Sequence, residues 1–176
     1  LAARFKSSLK EFDVEQAFLT AKLDNPHIYM RPPPGHEVPS GHILRLKQAP
    51  CGLVQAPRCF NKQFTRHPLD HVGFTQSAFD PCLFHTCKNG PISVLVIHVD
   101  DGLLACDSQE LEDKIIKKIR DRCGLGDPRS PHCFLGMELQ QNLKTGVIRL
   151  AMETHIDDLL KKFGMTEAAP VTTPAS

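Results

Sequence analysis

Apolar and polar positions alternate loosely over residues 9–14, which predicts a strand ending near Asp13. Residues 28–31 predict a second, short strand running into Pro32-Pro33-Pro34-Gly35, a stretch that cannot continue a ladder. Residues 43–47 alternate again. A helix is expected to open near Pro57, because proline suits a first helical position. It presents Phe60 and Phe64 at i, i+4, ends before Gly73, and must kink or stop at Pro68. Residues 82–87 and 92–99 flank Asn89-Gly90, a strong hairpin signal. The chain is then expected to turn at Asp100-Asp101-Gly102 and return over 103–106. The result is a three-stranded meander with acids at one tip.

Asp107 and Glu110 read as a capping pair for a helix whose apolar face is Leu111, Ile115, Ile116 and Ile119, with Gly124 after its end. Residues 134–139 and 147–150 predict two strands joined by a turn over 142–146. Thr154 with Asp157 opens a last helix, expected to bury Ile156, Leu159, Leu160 and Phe163 before Gly164; a Pro/Thr tail follows Pro170. Hairpins mixed with amphipathic helices predict an α+β fold, a mostly antiparallel sheet with helices packed on one face.

Composition changes this picture little. At 176 residues, 41% hydrophobic and 23% charged, the chain matches a globular domain with a core of its own. No apolar run approaches the ~20 residues of a membrane span. No secretory pattern opens the chain, and its start at Leu1 suggests a piece of something larger. Lys+Arg 21 against Asp+Glu 20 gives +1, so no global basic field announces nucleic acid. Seven cysteines without a CxxC pair point to free thiols in a reducing compartment. Cys82, His85 and Cys87 lack a second ligand pair and do not have zinc-knuckle spacing.

The acids carry the chemistry. Asp-Asp-Gly at a hairpin is, on its own, an ordinary turn. A very apolar strand that ends in adjacent carboxylates, however, asks for a positive partner. Asp13 also ends a strand, and if the two strands are neighbours Asp13, Asp100 and Asp101 converge. Two unit charges 4 Å apart repel by roughly 4 kcal/mol at an effective dielectric of 20. Such a cluster takes up protons unless a cation neutralises it, and oxygen ligands favour Mg²⁺ or Mn²⁺. Two such ions about 3.5–4 Å apart are the apparatus of nucleotidyl transfer.

Phe12-Asp13-Val14-Glu15-Gln16-Ala17-Phe18-Leu19, Gly52-Leu53-Val54-Gln55-Ala56-Pro57-Arg58 and His98-Val99-Asp100-Asp101 resemble the three palm motifs of copia-type LTR-retrotransposon reverse transcriptases. Ile28-Tyr29-Met30 with Pro33-Pro34-Gly35, Phe134-Leu135-Gly136-Met137 and Ile156-Asp157-Asp158-Leu159-Leu160 resemble further segments in the same order. The resemblance implies a right-hand polymerase palm with partial fingers over 1–151, the start of a thumb helix over 152–165, and a linker or tail over 166–176. It implies RNA-directed DNA polymerase activity, with Asp13, Asp100 and Asp101 as catalytic residues binding two Mg²⁺, or Mn²⁺ in their place.

Phe18 would select dNTPs over ribonucleotides, although an ordinary core Phe is the alternative. Gln55 would touch the nucleotide or merely cap a helix. Arg58 would reach a phosphate or the template, or simply sit in solvent. Phe134, Leu135, Gly136 and Met137 would form the strand that grips the primer, with close backbone approach explaining Gly136. Implied partners are a primed RNA or DNA template, dNTPs and the rest of a polyprotein with integrase and RNase H, in a cytoplasmic virus-like particle or the nucleus, with no membrane.

The family usually carries Tyr at His98, Lys at Val54 and Leu-Tyr where Pro50-Cys51 stand; these departures leave a catalytically inactive relic as the alternative. A nucleotide cyclase palm is disfavoured, since Asp100-Asp101-Gly102-Leu103-Leu104 lacks a glycine-rich acidic signature. The mixed charges of Lys114, Lys117, Lys118, Arg120 and Arg122 with Glu110, Glu112, Asp113 and Asp121 read as a solvated, salt-bridged face. Tyr29, between Ile28 and Met30, reads as a packing residue.

Overall fold

The computed structural model describes residues 2–15, 17–64, 72–86, 92–121, 123–169 and 171–172. Pro68, Cys87, the Asn89-Gly90 turn, Arg122 and the end of the tail lie outside the described residues. In chain order the elements begin with α1 (Ala2–Phe5), β1 (Ser8–Asp13), α2 (Ala17–Thr20), β2 (Tyr29–Met30), β3 (Leu44–Arg45) and α3 (Ala56–Phe64). They continue with β4 (Thr75–Gln76), β5 (Leu83–Thr86), β6 (Ser93–His98), β7 (Asp101–Cys106) and α4 (Gln109–Arg120). The last are β8 (Cys133–Phe134), β9 (Met137–Asn142), β10 (Val147–Ala151) and α5 (Glu153–Lys162). Among the described residues no helix is long and apolar enough to cross a membrane.

Five strands form one antiparallel sheet in the order β1-β7-β6-β5-β4. Alternation sorts its two faces. Phe12, Leu95, Ile97 and Leu104 point to one side, where they meet Phe60 and Phe64 of α3 and Ile115 and Ile119 of α4 in one buried cluster. Each such side chain contributes about 1.5–3 kcal/mol by leaving water. The helices therefore cover one face, as the pattern predicts. The capping of α4 differs from expectation. Ser108 stands at its N-cap without a side-chain hydrogen bond. Asp107 instead accepts from the Ser7 hydroxyl and from the Ile92 N–H at 3.2 Å, so it ties strands together rather than opening the helix.

The free edge of β1 is covered by a segment that no periodicity announces. Glu11 exchanges backbone hydrogen bonds with Arg129 at 2.9 Å in both directions, and the Gly126 N–H donates to the Asp13 carbonyl at 2.9 Å. Bridges pair Glu11 with Arg129 and Val14 with Leu125. The step from 11 to 14 is one residue shorter than that from 125 to 129, so this strap bulges beside Asp13. Asp13 is thus held from both sides.

β8, β9 and β10 form a second antiparallel sheet. Residues 134–139, read as one strand, are two: Leu135 (φ 51°) and Gly136 (φ 78°) both adopt left-handed backbone and make a two-residue hairpin turn. Gln141 docks this sheet on β1, accepting from the Leu9 N–H at 3.1 Å and donating to the Ser7 carbonyl at 2.7 Å. α5 is capped by Glu138 of β9, whose Oε1 accepts from the Thr154 hydroxyl at 2.5 Å and N–H at 3.3 Å. Its expected core face is not buried: Ile156 is 52% and Phe163 67% exposed, and no residue of α5 is buried. The tertiary partner that burial requires is not within the described residues. Tyr29 is likewise not a packing residue. It lies half-exposed on the β2–β3 ribbon, because a two-stranded ribbon covers only one side of its side chains.

Candidate active site

The site grows from the β6–β7 hairpin. The turn expected at residues 100–102 lies earlier, at Val99 and Asp100, and His98 and Asp101 form the closing pair. Val99 has φ 59°, a left-handed conformation that a β-branched residue adopts at a cost of about 1–3 kcal/mol and that concentrates at functional sites. The Asp-Gly pair is therefore not the turn. Gly102 sits within β7, and the reason is packing: a Cβ there would lie 2.2 Å from the Phe12 ring.

This shift puts Asp101 at the start of a strand, directly opposite Asp13 on β1. Asp13, Asp101 and His98 form a row across three neighbouring strands, on the face away from the helices. Asp100 occupies the turn beside them, and its carbonyl accepts from the Val14 N–H at 2.8 Å, which pins the turn to the end of β1. All three aspartates are exposed. The sheet thus brings the three predicted acids to one end.

Their electrostatics follow from that crowding. Partial burial raises the Asp13 pKa above its usual 3.8, and Asp100, Asp101 and Glu15 push it further, against a pull from Arg129. Asp101 is raised by burial, by Asp100 and by Glu11, while His98 and Arg129 oppose the shift. Among the described residues no three acidic, His or Cys side chains already close around one point. The donor chemistry nevertheless fits a hard divalent cation: the donors are carboxylate oxygens, and their mutual repulsion is what such an ion relieves. Cys82, by contrast, has its thiol pKa raised by burial and by Asp80, away from the thiolate that zinc prefers.

β1 and the strap each supply one residue that the sequence reading missed, Glu11 and Arg129. Glu11 is buried and shares a face with Asp13, two positions along β1. Its Oε1 accepts from Arg129 Nε at 3.0 Å and Nη2 at 2.5 Å, and Oε2 accepts from the His132 N–H at 3.1 Å. Alternation along β1 was the available signal for Glu11. For Arg129 there was none.

The other predicted residues spread outward. Phe18, on α2, is partly buried and stacks edge-on against Phe60 of α3 at 6.4 Å. Gln55 stands at the N-cap position of α3, where its carbonyl accepts from the Cys59 N–H at 3.0 Å. Arg58, mostly exposed, lies 3.8 Å from Asp24, which Lys62 holds more closely at 2.7 Å. Phe134 is buried, and Leu135 and Gly136 form the exposed hairpin tip. Gly136 faces open space, so its positive φ, not close approach, calls for glycine here. What links this hairpin to the acids is Glu11, through the His132 N–H. On α4, Arg120 pairs with Asp127 of the strap at 3.1 Å.

A family profile described as reverse transcriptase (RNA-dependent DNA polymerase) matches residues 1–176. The chain belongs to the reverse transcriptase family. This reverse transcriptase chain is 32% identical over 94% of its length to the retrovirus-related Pol polyprotein from transposon RE1 of Arabidopsis thaliana. It is 28% identical over 99% of its length to that from transposon TNT 1-94 of Nicotiana tabacum. The chain spans 11% and 13% of those polyproteins, respectively. A putative transposon Ty5-1 protein of Saccharomyces cerevisiae is 31% identical over 82% of this chain and 46% of its own length. These relatives mark the chain as copia-type, within a Pol polyprotein context. Among its departures Cys51, Val54 and His98 are exposed, Val54 at 95%, whereas Pro50 is half-buried.

Proposed function

We propose that this chain is the palm, with partial fingers and the start of the thumb, of an RNA-directed DNA polymerase that extends a primer with dNTPs on an RNA or DNA template. The register of Asp13 against Asp101, with Asp100 in the adjoining turn, carries this reading. Asp13, Asp100 and Asp101 would hold two Mg²⁺, or Mn²⁺. When bound, such ions lower the pKa of the attacking 3′-hydroxyl and stabilise the pyrophosphate that leaves.

The chain's own part is positioning. β7 and the strap hold Asp13 from opposite sides, and the strained Val99 sets the turn that presents Asp100. Arg129 offsets part of the negative charge. Phe18 would border the sugar, Gln55 and Arg58 the incoming nucleotide, and the 134–137 hairpin the primer end. The remaining polyprotein domains, integrase and RNase H, would act beside it in a virus-like particle or the nucleus.

Primer extension on an RNA template by the chain within its polyprotein tests the proposal. Asp101→Asn is expected to lower incorporation by about a thousandfold or more, the scale of losing one preorganised charge-stabilising group. Its thermal stability should match or exceed the parent's, because a repelling charge is gone. Retained incorporation overturns the assignment.

A further inference from the structure

We propose that Arg129, clamped on the buried Glu11, is a built-in counter-cation of the acid cluster: a positioning residue that steadies Asp13 and Asp101 and weakens their hold on a free divalent ion. The inference deepens the proposed function and rests on its reading of the three aspartates as metal ligands.

Backbone pairing sets the geometry. Glu11 and Arg129 exchange both N–H···O bonds at 2.9 Å, so they stand directly opposite each other across β1 and the strap. Side chains of directly opposed residues leave a ladder on the same face. Glu11 shares its face with Asp13, two positions along β1, and Asp13 stands in register with Asp101. Arg129 therefore lies over β1 on the face that carries the acids. The bulge of the strap brings it there. Without the extra residue Pro128 would oppose Glu11, and Arg129 would turn to the helix face.

Charge and burial give the pair its role. Glu11 is buried and Arg129 mostly exposed, so the carboxylate is the anchor and the guanidinium the part left in water beside the acids. Oε1 of Glu11 accepts from Nε and Nη2 of Arg129, and Oε2 accepts from the His132 N–H. Both oxygens are thus engaged, and Glu11 serves the guanidinium rather than a metal. Arg120, the nearby cation of α4, is taken by Asp127 at 3.1 Å. Arg129 pulls against the raised pKa of Asp13 and of Asp101 alike, which is the same attraction expressed on protons. A positive charge that favours the ionised acids repels a second cation arriving beside them.

The test is Mn²⁺ binding to the full chain, without nucleic acid or nucleotide, followed by electron paramagnetic resonance of the free ion at low and high salt. Arg129→Gln is expected to tighten binding about fivefold at low salt and Glu11→Gln to weaken it about fivefold, the scale of one unit charge acting on a divalent ion through roughly 8 Å of water. Near 1 M salt, where the Debye length is about 3 Å, both effects should all but vanish. The double variant Glu11→Gln, Arg129→Gln should bind within about twofold of the parent, because the pair is neutral as a unit. Arg129→Lys, which keeps the charge and loses the fork of donors, should bind like the parent as well. The opposite signs separate charge from structure, since a purely structural clamp gives losses in both single variants. Arg129→Gln leaves a buried carboxylate unpaired; should it not fold, Glu11→Gln, the double variant and Arg129→Lys carry the test. Unchanged or weaker binding in folded Arg129→Gln overturns the counter-cation, as does a double variant as weak as Glu11→Gln. Asp101→Asn should weaken Mn²⁺ binding. If it does so while the charge of residues 11 and 129 changes nothing, the counter-cation fails and the metal reading stands. If Asp101→Asn leaves binding unchanged, the metal reading fails and takes this inference with it. Absent primer extension with the charge effects intact sinks the polymerase reading alone and supports the counter-cation.

Discussion

α4 and α5 both carry an apolar stripe at helical period, yet one is the wall of the core and the other lies almost bare. Ile115 and Ile119 of α4 are fully buried against β6 and β7, whereas Ile156 and Leu159 of α5 remain 52% and 40% exposed. An i, i+3, i+4 stripe encodes a helix with an apolar side; it does not encode a partner. The five-stranded sheet provides that partner for α4. The three-stranded sheet provides α5 with a cap at Glu138 and little more. The acids accordingly stand on the well-packed region, where their register is fixed by two flanking segments.

Substitution in the two helices should show the difference most strongly. Ile115→Ala is expected to cost about 2–5 kcal/mol in urea unfolding, because it opens a cavity under the sheet. Ile156→Ala should stay within about 0.5 kcal/mol, as exposed changes do. A comparable loss at both positions would mean that α5 is covered in solution.

Glycines give a second contrast. Gly102→Ala drives a methyl into the buried Phe12 ring and should cost about 1–3 kcal/mol, relieved when Phe12→Leu is added. Gly136→Ala faces open space, so its cost of roughly 1–2 kcal/mol comes from backbone φ alone. Phe12→Leu should not relieve it, whereas Gly136→Asn should cost less than Gly136→Ala. Thermal melts of these variants check both.

The smallest effect is in pH, and here the two regions have opposite signs. Asp13 and Asp101 have pKa values raised above 3.8 in the folded chain, so the native state holds more of their protons than the unfolded one. Their contribution to stability is fully present below 3.8 and is lost as pH rises through the raised values. Asp13→Asn should flatten that fall, measured by chemical denaturation without divalent ions. Glu138, whose pKa is lowered below 4.5 chiefly by the Thr154 hydroxyl, contributes above 4.5 and loses its effect as pH falls through the lowered value. Glu138→Gln should remove that acid-side loss while leaving the behaviour of the aspartates unchanged.

Much of the site was legible along the chain. The strand end at Asp13, the meander and the amphipathic α4 all follow from alternation and period, while the strand read to residue 99 ends one residue earlier, at His98. The hairpin turn was misplaced because Asp-Gly outranks Val-Asp on turn preference. Packing of Gly102 against Phe12, a contact between strands about 90 residues apart in the chain, reversed that order. The 134–139 strand was misread for a related reason: Leu135 in left-handed backbone has no local signature. Asp107 lost its capping role to Ser7 and Ile92, partners that only folding brings near.

Local pattern settled most of the strands and helices and the strand that ends at Asp13, since period and turn chemistry act over a few residues. Tertiary contact decided the rest. It set Asp13 opposite Asp101, laid the strap and Arg129 along β1, and left α5 exposed while burying α4. Register and burial belong to pairs of distant segments, and a hydrophobic stripe or a carboxylate carries no address for the surface it will meet.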